Sequence, residues 1–551
     1  MVSNAAILEW QLVLGPDQVV TAASRLREAE QTTFATHQHI PAILLPETRE
    51  QVQQCLRIAT RHSIAVHPIS TGKNWGYGSR LPVADGCVLL DLGRMKRIVG
   101  FNAELGYVTI EPGVTQRDLF AFLEQKRAPL WMDATGSSPD CSLIGNTLER
   151  GFGHTPYGDH TANVCGFEVV LPNGEVLETG FARYPNNQAA SVYRNGLGPS
   201  IDGLFTQSNL GVVTRMTFWL MPAPECFNAF FFSCDRDDSL PAIIDALRPL
   251  RLDGTLRSAI HIGNDYKVLS GLRQYPWQET NGTTPLSPEL MKQFRRTMKF
   301  GAWSGSGGLY GTRAQVAEAR RLVKRALAGK VDKLQFLSDR LLQVATRFAR
   351  PFGMITGWDL SKTLDLARPI FGLMKGIPTD KPMASVYWRK RNPPPAQADP
   401  DRDGCGLLWC APVAPTGGAH AQKLASLTSE IVLRHGFEPT LSITLITERA
   451  LICVISLAYD RDVEGEDRRA RVCFDELQST FAANGYMPYR LGIQSMGQMQ
   501  LSGAYGDLLA SIKRSVDPAN ILAPGRYAPV ALGDARTEQE TPSRTTPTPA
   551  S

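Results

Sequence analysis

Apolar residues in VQQCLRIATRH, 52–62, recur every three to four positions with polar residues between them. That spacing predicts an amphipathic helix with one buried face. PAILLPETREQVQ, 41–53, leads into it as a short strand followed by the helix-start signal Pro46-Glu47-Thr48. SIAVHPIS, 63–70, returns to strand and runs into a turn, PISTGKNWGYGS, 68–79. Further strands are predicted in GCVLLDL (86–92), GYVTIEPGVT (106–115) and GFEVVLPNGEVLETG (166–180), each bounded or broken by Gly, Pro or Asn-Gly signals. Between them VTQRDLFAFLEQK, 114–126, reads as a capped amphipathic helix. Strand, helix, strand and glycine turn in this order imply a layered α/β unit.

The pattern changes near residue 223. Helical spacing dominates in DSLPAIIDALRPLRL (238–252), RAQVAEARRLVKRALAG (313–329) and HAQKLASLTSEIVLRHG (420–436), alternating with strands such as ALICVISLAYD, 450–460. This predicts a second, α+β domain. RNPPPAQADPDRDG, 391–404, is a Pro- and charge-rich loop inside it. YGDLLASIKRSVDPANILAPGRYAP, 505–529, runs a helix into a Pro-terminated segment, and ARTEQETPSRTTPTPAS, 535–551, has too little apolar surface to fold. No internal repeat is present.

Composition narrows the functional classes. A chain of 551 residues exceeds one compact core. A net charge of +5 from interspersed lysines and arginines argues for neither nucleic acid nor an acidic membrane surface. The densest basic cluster, RRLVKR at 320–325, reads as the solvated face of a helix. Ten cysteines show no CxxC pair and no zinc-type spacing, so reduced thiols in a cytoplasmic protein are expected. The first residues carry no basic start, apolar stretch and cleavage site, and no apolar run approaches membrane-spanning length.

Three glycines and an asparagine in 68–79 keep a backbone slim. Residues without Cβ let successive N–H groups approach a phosphate or pyrophosphate closely, although a tight turn needing positive φ explains this segment alone equally well. It matches neither the GxGxxG nor the Walker pattern. A second slim stretch, CSLIGNTLERGFGHTPYGDH (141–160), carries Gly145, Gly151, Gly153 and Gly158. A long cofactor touched by backbone from several segments accounts for both; a single phosphate does not.

PISTGKNWGYGS, IEPGVT, GNTLERGFGHTPYGDH, EVVLPNGEVLETG, GPSIDGLFTQSNLGVVT and DPANILAPGRY resemble, in order, the motif series of the vanillyl-alcohol oxidase and para-cresol methylhydroxylase flavoprotein family. The resemblance implies an α+β fold. A two-lobed FAD-binding domain of the methylhydroxylase type would span 1–222, with its core at about 38–222. A cap (substrate) domain of antiparallel sheet flanked by helices would span 223–488. A C-terminal segment, 489–530, would return to the FAD domain, and 531–551 would form a disordered tail.

The resemblance also places the cofactor. Pro68, Ile69, Ser70, Thr71, Gly72, Lys73, Asn74, Gly76 and Tyr77 would hold its pyrophosphate end. Ser142, Gly145, Asn146, Gly151, Gly153, Gly158 and His160 would run along it, with Gly211 and Val213 near the adenine. Arg526, in APGRY, offers positive charge near the flavin, a C-terminal ion pair being the alternative. In the family a Tyr-Arg pair and the tyrosine of the GYG turn hold a phenolate; here these are Tyr489, Arg490 and Tyr77, the expected catalytic residues. On their own, Arg490 reads as a surface ion pair and Tyr489 as a strand aromatic packed on the core. Two hydroxyls and a guanidinium would lower a bound phenol's pKa, and the phenolate would drive hydride from the benzylic carbon. Water or an internal nucleophile would trap the quinone methide, or a proton would leave to give an alkene.

Several positions depart from the family. Gly136 stands near the place of an aspartate in the oxidase members, with Asp133 and Asp140 flanking it. Leu407 takes the place of the flavin-tethering histidine, and none of His261, His420 and His435 matches it. The tyrosine-linked members carry Tyr two residues before a Trp; here Val386 stands there and Tyr387 directly precedes Trp388. Non-covalent FAD is therefore favoured, with a tyrosyl link through Tyr387 left open. Arg449, Ala450 and Leu451 replace the family's paired cap histidines, and Glu448 beside them reads as a solvated strand-end charge before a substitute base.

The expectation is an FAD-dependent oxidoreductase acting on a para-substituted phenol or related small aromatic, in specialised metabolism. The alternatives are oxidation of a non-phenolic alcohol or carboxylate-bearing substrate, with Arg490 on the carboxylate, and a flavin-binding protein of decayed chemistry serving as a binding partner. No metal, nucleic acid or membrane partner is expected. The resemblance makes a homodimer reasonable and leaves a cytochrome partner open.

Overall fold

The computed structural model describes residues 2–344, 346, 360–499 and 501–527; the expected tail lies outside them. The first sheet orders Val19–Val20, Ile43–Leu44, Val88–Asp91 and Val66–Ile69. The last three run parallel, so Arg49–Arg61 is the crossover helix between Ile43–Leu44 and Val66–Ile69. Thr48 caps that helix by accepting from the Gln51 amide, and Val52, Cys55, Leu56 and Ala59 face inward at helical spacing. Each large apolar side chain fully buried there contributes about 1.5–3 kcal/mol. Trp10, from the N-terminal helix Asn4–Leu14, closes the same core.

The second sheet is antiparallel: Ile98–Asn102, Tyr107–Ile110, Val212–Trp219, Val164–Val170 and Val176–Glu178. The segment 166–180 is a hairpin turned at Asn173-Gly174, where Gly174 takes φ +80°. The predicted capped helix is Gln116–Lys126, started by a Thr115/Asp118 capping box. The C-terminal chain returns to the first sheet: Val66 donates to the Ile521 carbonyl at 2.7 Å and Ala523 to the Val66 carbonyl at 2.8 Å.

From Cys226 onward the chain builds an eight-stranded antiparallel sheet. Seven strands follow in the order Lys333–Ser338, Cys226–Cys234, Trp303–Gly311, Ile260–Asn264, Leu441–Leu445, Ala450–Asp460 and Cys405–Cys410, and Val413–Pro415 pairs with Ala450–Asp460. Helices Leu240–Leu252, Arg313–Leu327, Gly418–Arg434 and Glu466–Ala483 pack on one face. The strand alternation sends Ile260 and Ile262 into that core and His261 and Gly263 to the opposite face, over the FAD-type domain.

The sheet is more extensive than the helical texture of 223–488 suggests. Trp303–Gly311, WSGSGGLYG, is a central strand despite its four glycines. A Cβ at Gly305 would overlap the Phe232 ring, and one at Gly307 would come within 2.6 Å of the Phe230 ring. The glycines are the counterpart of aromatic residues on the paired strand.

Candidate active site

The slim turn begins where Val66–Ile69 ends, on the carboxyl side of the parallel strands, where open α/β sheets gather ligands. Gly72, Gly76 and Gly78 take φ +69°, +76° and +116°. Among the described residues, the amides of Thr71, Gly72, Lys73 and Asn74 donate to no protein atom. Four free donors in succession form an anion nest. The turn is braced from behind: Gly76 donates to Thr33 Oγ1 at 2.9 Å, and Tyr77 and Ser79 donate to the Asn74 carbonyl at 3.1 and 3.0 Å.

The second glycine stretch meets the first. The Ser142 amide donates to Thr71 Oγ1 at 3.1 Å, and Ser142 Oγ caps Gly145 at 2.9 Å. A Cβ at Gly145 would overlap Ser70 Oγ, so the slimness of one loop allows the approach of the other. Both loops line a cavity of about 2040 Å³ that continues past Gly211 and Val213, past Arg526, and under the cap sheet. That is well beyond the ~300–1,000 Å³ of a site for one small ligand.

Tyr77, Tyr489 and Arg490 converge in this cavity. The Arg490 guanidinium lies on the Tyr77 ring, 3.7 Å from its centroid, and donates to Asn74 Oδ1. Tyr489 packs edge-on to Phe152 at 5.7 Å, and its carbonyl accepts from Gln207 Nε2 at 2.9 Å. Burial, with Tyr489 beside it, raises the Tyr77 pKa well above the ordinary phenol value against the pull of Arg490, so Tyr77 keeps its proton and can donate it. Burial opposes the Arg490 charge, but Tyr489, Tyr77 and Glu149 around it hold its pKa above the usual value.

Other expected site residues divide. Residues 68–74, Ser142, Gly145, Asn146, Gly151, Gly211, Val213 and Arg526 line the cavity. Gly76 stands behind it, under the Trp409 ring, which a Cβ would strike. Gly153, Gly158 and His160 do not line it. His160 is buried with its two ring nitrogens 2.7 Å from Asn146 Oδ1 and Asp133 Oδ2, and a Cβ at Gly153 would overlap Asp133. These residues fasten the loop instead. Arg526 lines the cavity and is ion-paired to Glu149. Neither aspartate flanking Gly136 reaches the cavity, since Asp133 is held by His160 and the Thr155 amide, and Asp140 by Arg117 at 2.8 Å. Tyr387 is turned away as well: its hydroxyl donates to Asp403 at 2.6 Å, while Val386 and Leu407 take the cavity wall. Glu448 is exposed outside it.

Sequence reasoning missed three wall residues. Beside Gly136 stands His154, 3.3 Å from where a Cβ would be, stacked on His261 with centroids 4.4 Å apart. Its Nδ1 is 3.0 Å from the Ala134 carbonyl, which can only accept, so Nδ1 carries the proton and Nε2 a lone pair. Burial lowers both histidine pKa values, and both rings are neutral. The third is Lys267, from the helix Asp265–Leu272.

His67, buried at the start of the turn with Nδ1 unpartnered, is pushed down to about 3 by burial and the nearby Arg526. The unfolded chain then binds protons first as pH falls below the ordinary value of about 6.5. Stability present above that pH is lost toward pH 3, about 2 kcal/mol of it between pH 7 and 5. Urea unfolding should show this slope, and His67→Gln should flatten it; equal midpoints at pH 7 and 5 contradict it.

An anion nest at the end of parallel strands, a second slim loop along an elongated cavity and a cap sheet above it define a two-domain dinucleotide flavoprotein. Comparison with known proteins agrees. The FAD binding domain family matches residues 40–180. The chain is 46% identical over 524 residues to 1'-carboxy-chondrochloren decarboxylase of Chondromyces crocatus, covering 95% of this chain and 96% of that one. It is 32% identical to the 4-cresol dehydrogenase (hydroxylating) flavoprotein subunit of Pseudomonas putida, covering 95% of each. The solved 4-ethylphenol oxidase from Gulosibacter chungangensis superposes with a TM-score of 0.86 at 29% identity, over 96% of this chain and 98% of that one. The chain belongs to the para-cresol methylhydroxylase and vanillyl-alcohol oxidase flavoprotein family and is an FAD-dependent oxidoreductase. Its residues fit the cofactor: the free amides of 71–74 suit the pyrophosphate, and His67, whose buried Nδ1 has no partner, lines the same channel. Among the described residues, no helix is long and apolar enough to cross a membrane.

Proposed function

We propose that this enzyme oxidatively decarboxylates a 4-hydroxyphenyl substrate whose carboxylate sits on the carbon next to the benzylic one. The observation that carries the reading is the charge along the wall of the cavity that holds Tyr77, Tyr489 and Arg490. Among the described residues, Lys73, Lys267, Arg273, Lys299, Lys333, Lys381, Arg490 and Arg526 line it with one carboxylate, Glu149, which Arg526 already holds, while Asp399 and Glu279 pair with Lys73 and Arg273. Such a wall favours an anionic substrate and, among the described residues, supplies no free carboxylate base.

Decarboxylation needs none. Tyr77 donates to the substrate oxygen, with Tyr489 beside it, and the Arg490 charge favours the phenolate. Bound FAD supplies the hydride acceptor. Loss of hydride from the benzylic carbon leaves a para-quinone methide. The electron pair of the C–CO2 bond then forms the side-chain double bond and restores the phenolate. The balance is one hydride, which carries both electrons, to the flavin, one CO2, and one 4-alkenylphenol that regains the phenolic proton given up before hydride loss. The decarboxylase relative and the oxidases of 4-alkylphenols in the family support the two halves of this sequence. The reading fits specialised metabolism, and ten free cysteines, nine of them buried, support a reducing, cytoplasmic setting.

Anaerobic flavin bleaching tests it. 3-(4-Hydroxyphenyl)propanoate should reduce the flavin and its 4-methoxy ether should not; equal reduction by the ether contradicts a phenolate mechanism and favours oxidation of a non-phenolic carboxylate.

A further inference from the structure

We infer that Lys267 is the anchor for the substrate carboxylate, an inference that rests on the decarboxylase reading. Lys267 lies on the cavity side of the cap sheet, where its stem covers Gly263, 3.2 Å from where a Cβ would stand. Glycine at 263 leaves room for that stem to lie across the strand. The ammonium is 5.8 Å from the Trp409 ring centroid and 3.4 Å from Ser385 Oγ. Trp409 in turn packs on Gly76, next to Tyr77, so one indole links the lysine to the phenol trio.

The other cations of the wall are engaged or exposed. Arg526 pairs with Glu149, Arg273 with Glu279, and Lys73 with Asp399. Arg490 rests on Tyr77 and Asn74. Lys299, Lys333 and Lys381 are exposed. Lys267 has no carboxylate partner among the described residues. A half-buried cation that faces a ligand cavity without a carboxylate partner is stabilised by an anion that enters with the ligand. Burial pushes its pKa down to about 8, which an arriving carboxylate would reverse. The wall around it is neutral and polar, with Ser304 and Ser442 on the strands flanking Gly263. Two anchors, one for phenolate and one for carboxylate, fix both ends of a short acid.

Calorimetry on the FAD-loaded enzyme tests this with dead-end ligands lacking a benzylic carbon. 4-Hydroxyphenoxyacetate keeps the chain length and carboxylate of the proposed substrate, and 4-ethoxyphenol lacks the charge. The wild type should prefer the carboxylate ligand by about 10- to 100-fold, the worth of one charge-assisted hydrogen bond. Lys267→Met should abolish that preference without changing the 4-ethoxyphenol affinity, and Lys267→Arg should restore part of it. Retained preference in Lys267→Met overturns the assignment while leaving the decarboxylase reading intact. Equal loss of both ligands, or loss of flavin, makes Lys267 structural and also overturns it. No preference in the wild type sinks the decarboxylase reading itself.

Discussion

Arg490→Met is expected to lower kcat/KM for a 4-hydroxyphenyl acid by about 100- to 1,000-fold while FAD stays bound, the scale seen when one preorganised charge-stabilising donor is removed. The guanidinium sits on the Tyr77 ring beside Tyr489, in a part of the cavity away from solvent, and it holds its charge there despite burial. Without it, the buried tyrosines favour the neutral phenol, which cannot push hydride from the benzylic carbon. The loss should appear in the rate of flavin reduction and should shrink for phenols of lower intrinsic pKa. Arg490→Lys should recover little, because a point charge cannot both lie flat on a ring and reach Asn74. Folding should suffer by only about 1 kcal/mol, from the Asn74 oxygen left unpaired. A rate within threefold of wild type would place the phenolate elsewhere.

Gly76→Val should be comparably damaging by a different route, lowering FAD affinity by at least about 100-fold. Its φ of +76° lies in the left-handed region, where a β-branched residue is strained by about 1–3 kcal/mol. Its side chain would also strike Trp409, whose Nε1 is 2.8 Å from the Cβ position. Relief requires the turn to move, and the four free amides before it move with it. Gly15→Ala separates the two causes: Gly15 has φ +95° but nothing within 4 Å of a Cβ. It should lose a little stability and no flavin. Titration of the apoprotein with FAD checks both variants.

The cofactor scaffold was legible because its determinants are local and ordered. A slim backbone has to be slim in sequence, and the two glycine stretches announce themselves before any contact is known. That Tyr77, Tyr489 and Arg490 meet in one cavity was legible only through the family resemblance, since Tyr489 and Arg490 carry no pattern of their own. His154, His261 and Lys267 were not legible. The first belongs to a loop read for its glycines, and the others face the cavity only because the alternation of Ile260–Asn264 and the turn into the next helix put them there. Trp303–Gly311 was hidden because its glycines answer phenylalanines on another strand. Tyr387 shows the converse. A tether through it was left open beside the favoured non-covalent FAD, and the Pro- and charge-rich loop 391–404 supplies Asp403 to its hydroxyl.

The most direct test is anaerobic single turnover of the flavin-loaded enzyme with 3-(4-hydroxyphenyl)propanoate labelled at the carboxyl carbon. The account predicts one labelled CO2 and one 4-vinylphenol for each flavin reduced. Flavin reduction with the label retained in a side-chain alcohol or an unsaturated acid would contradict it.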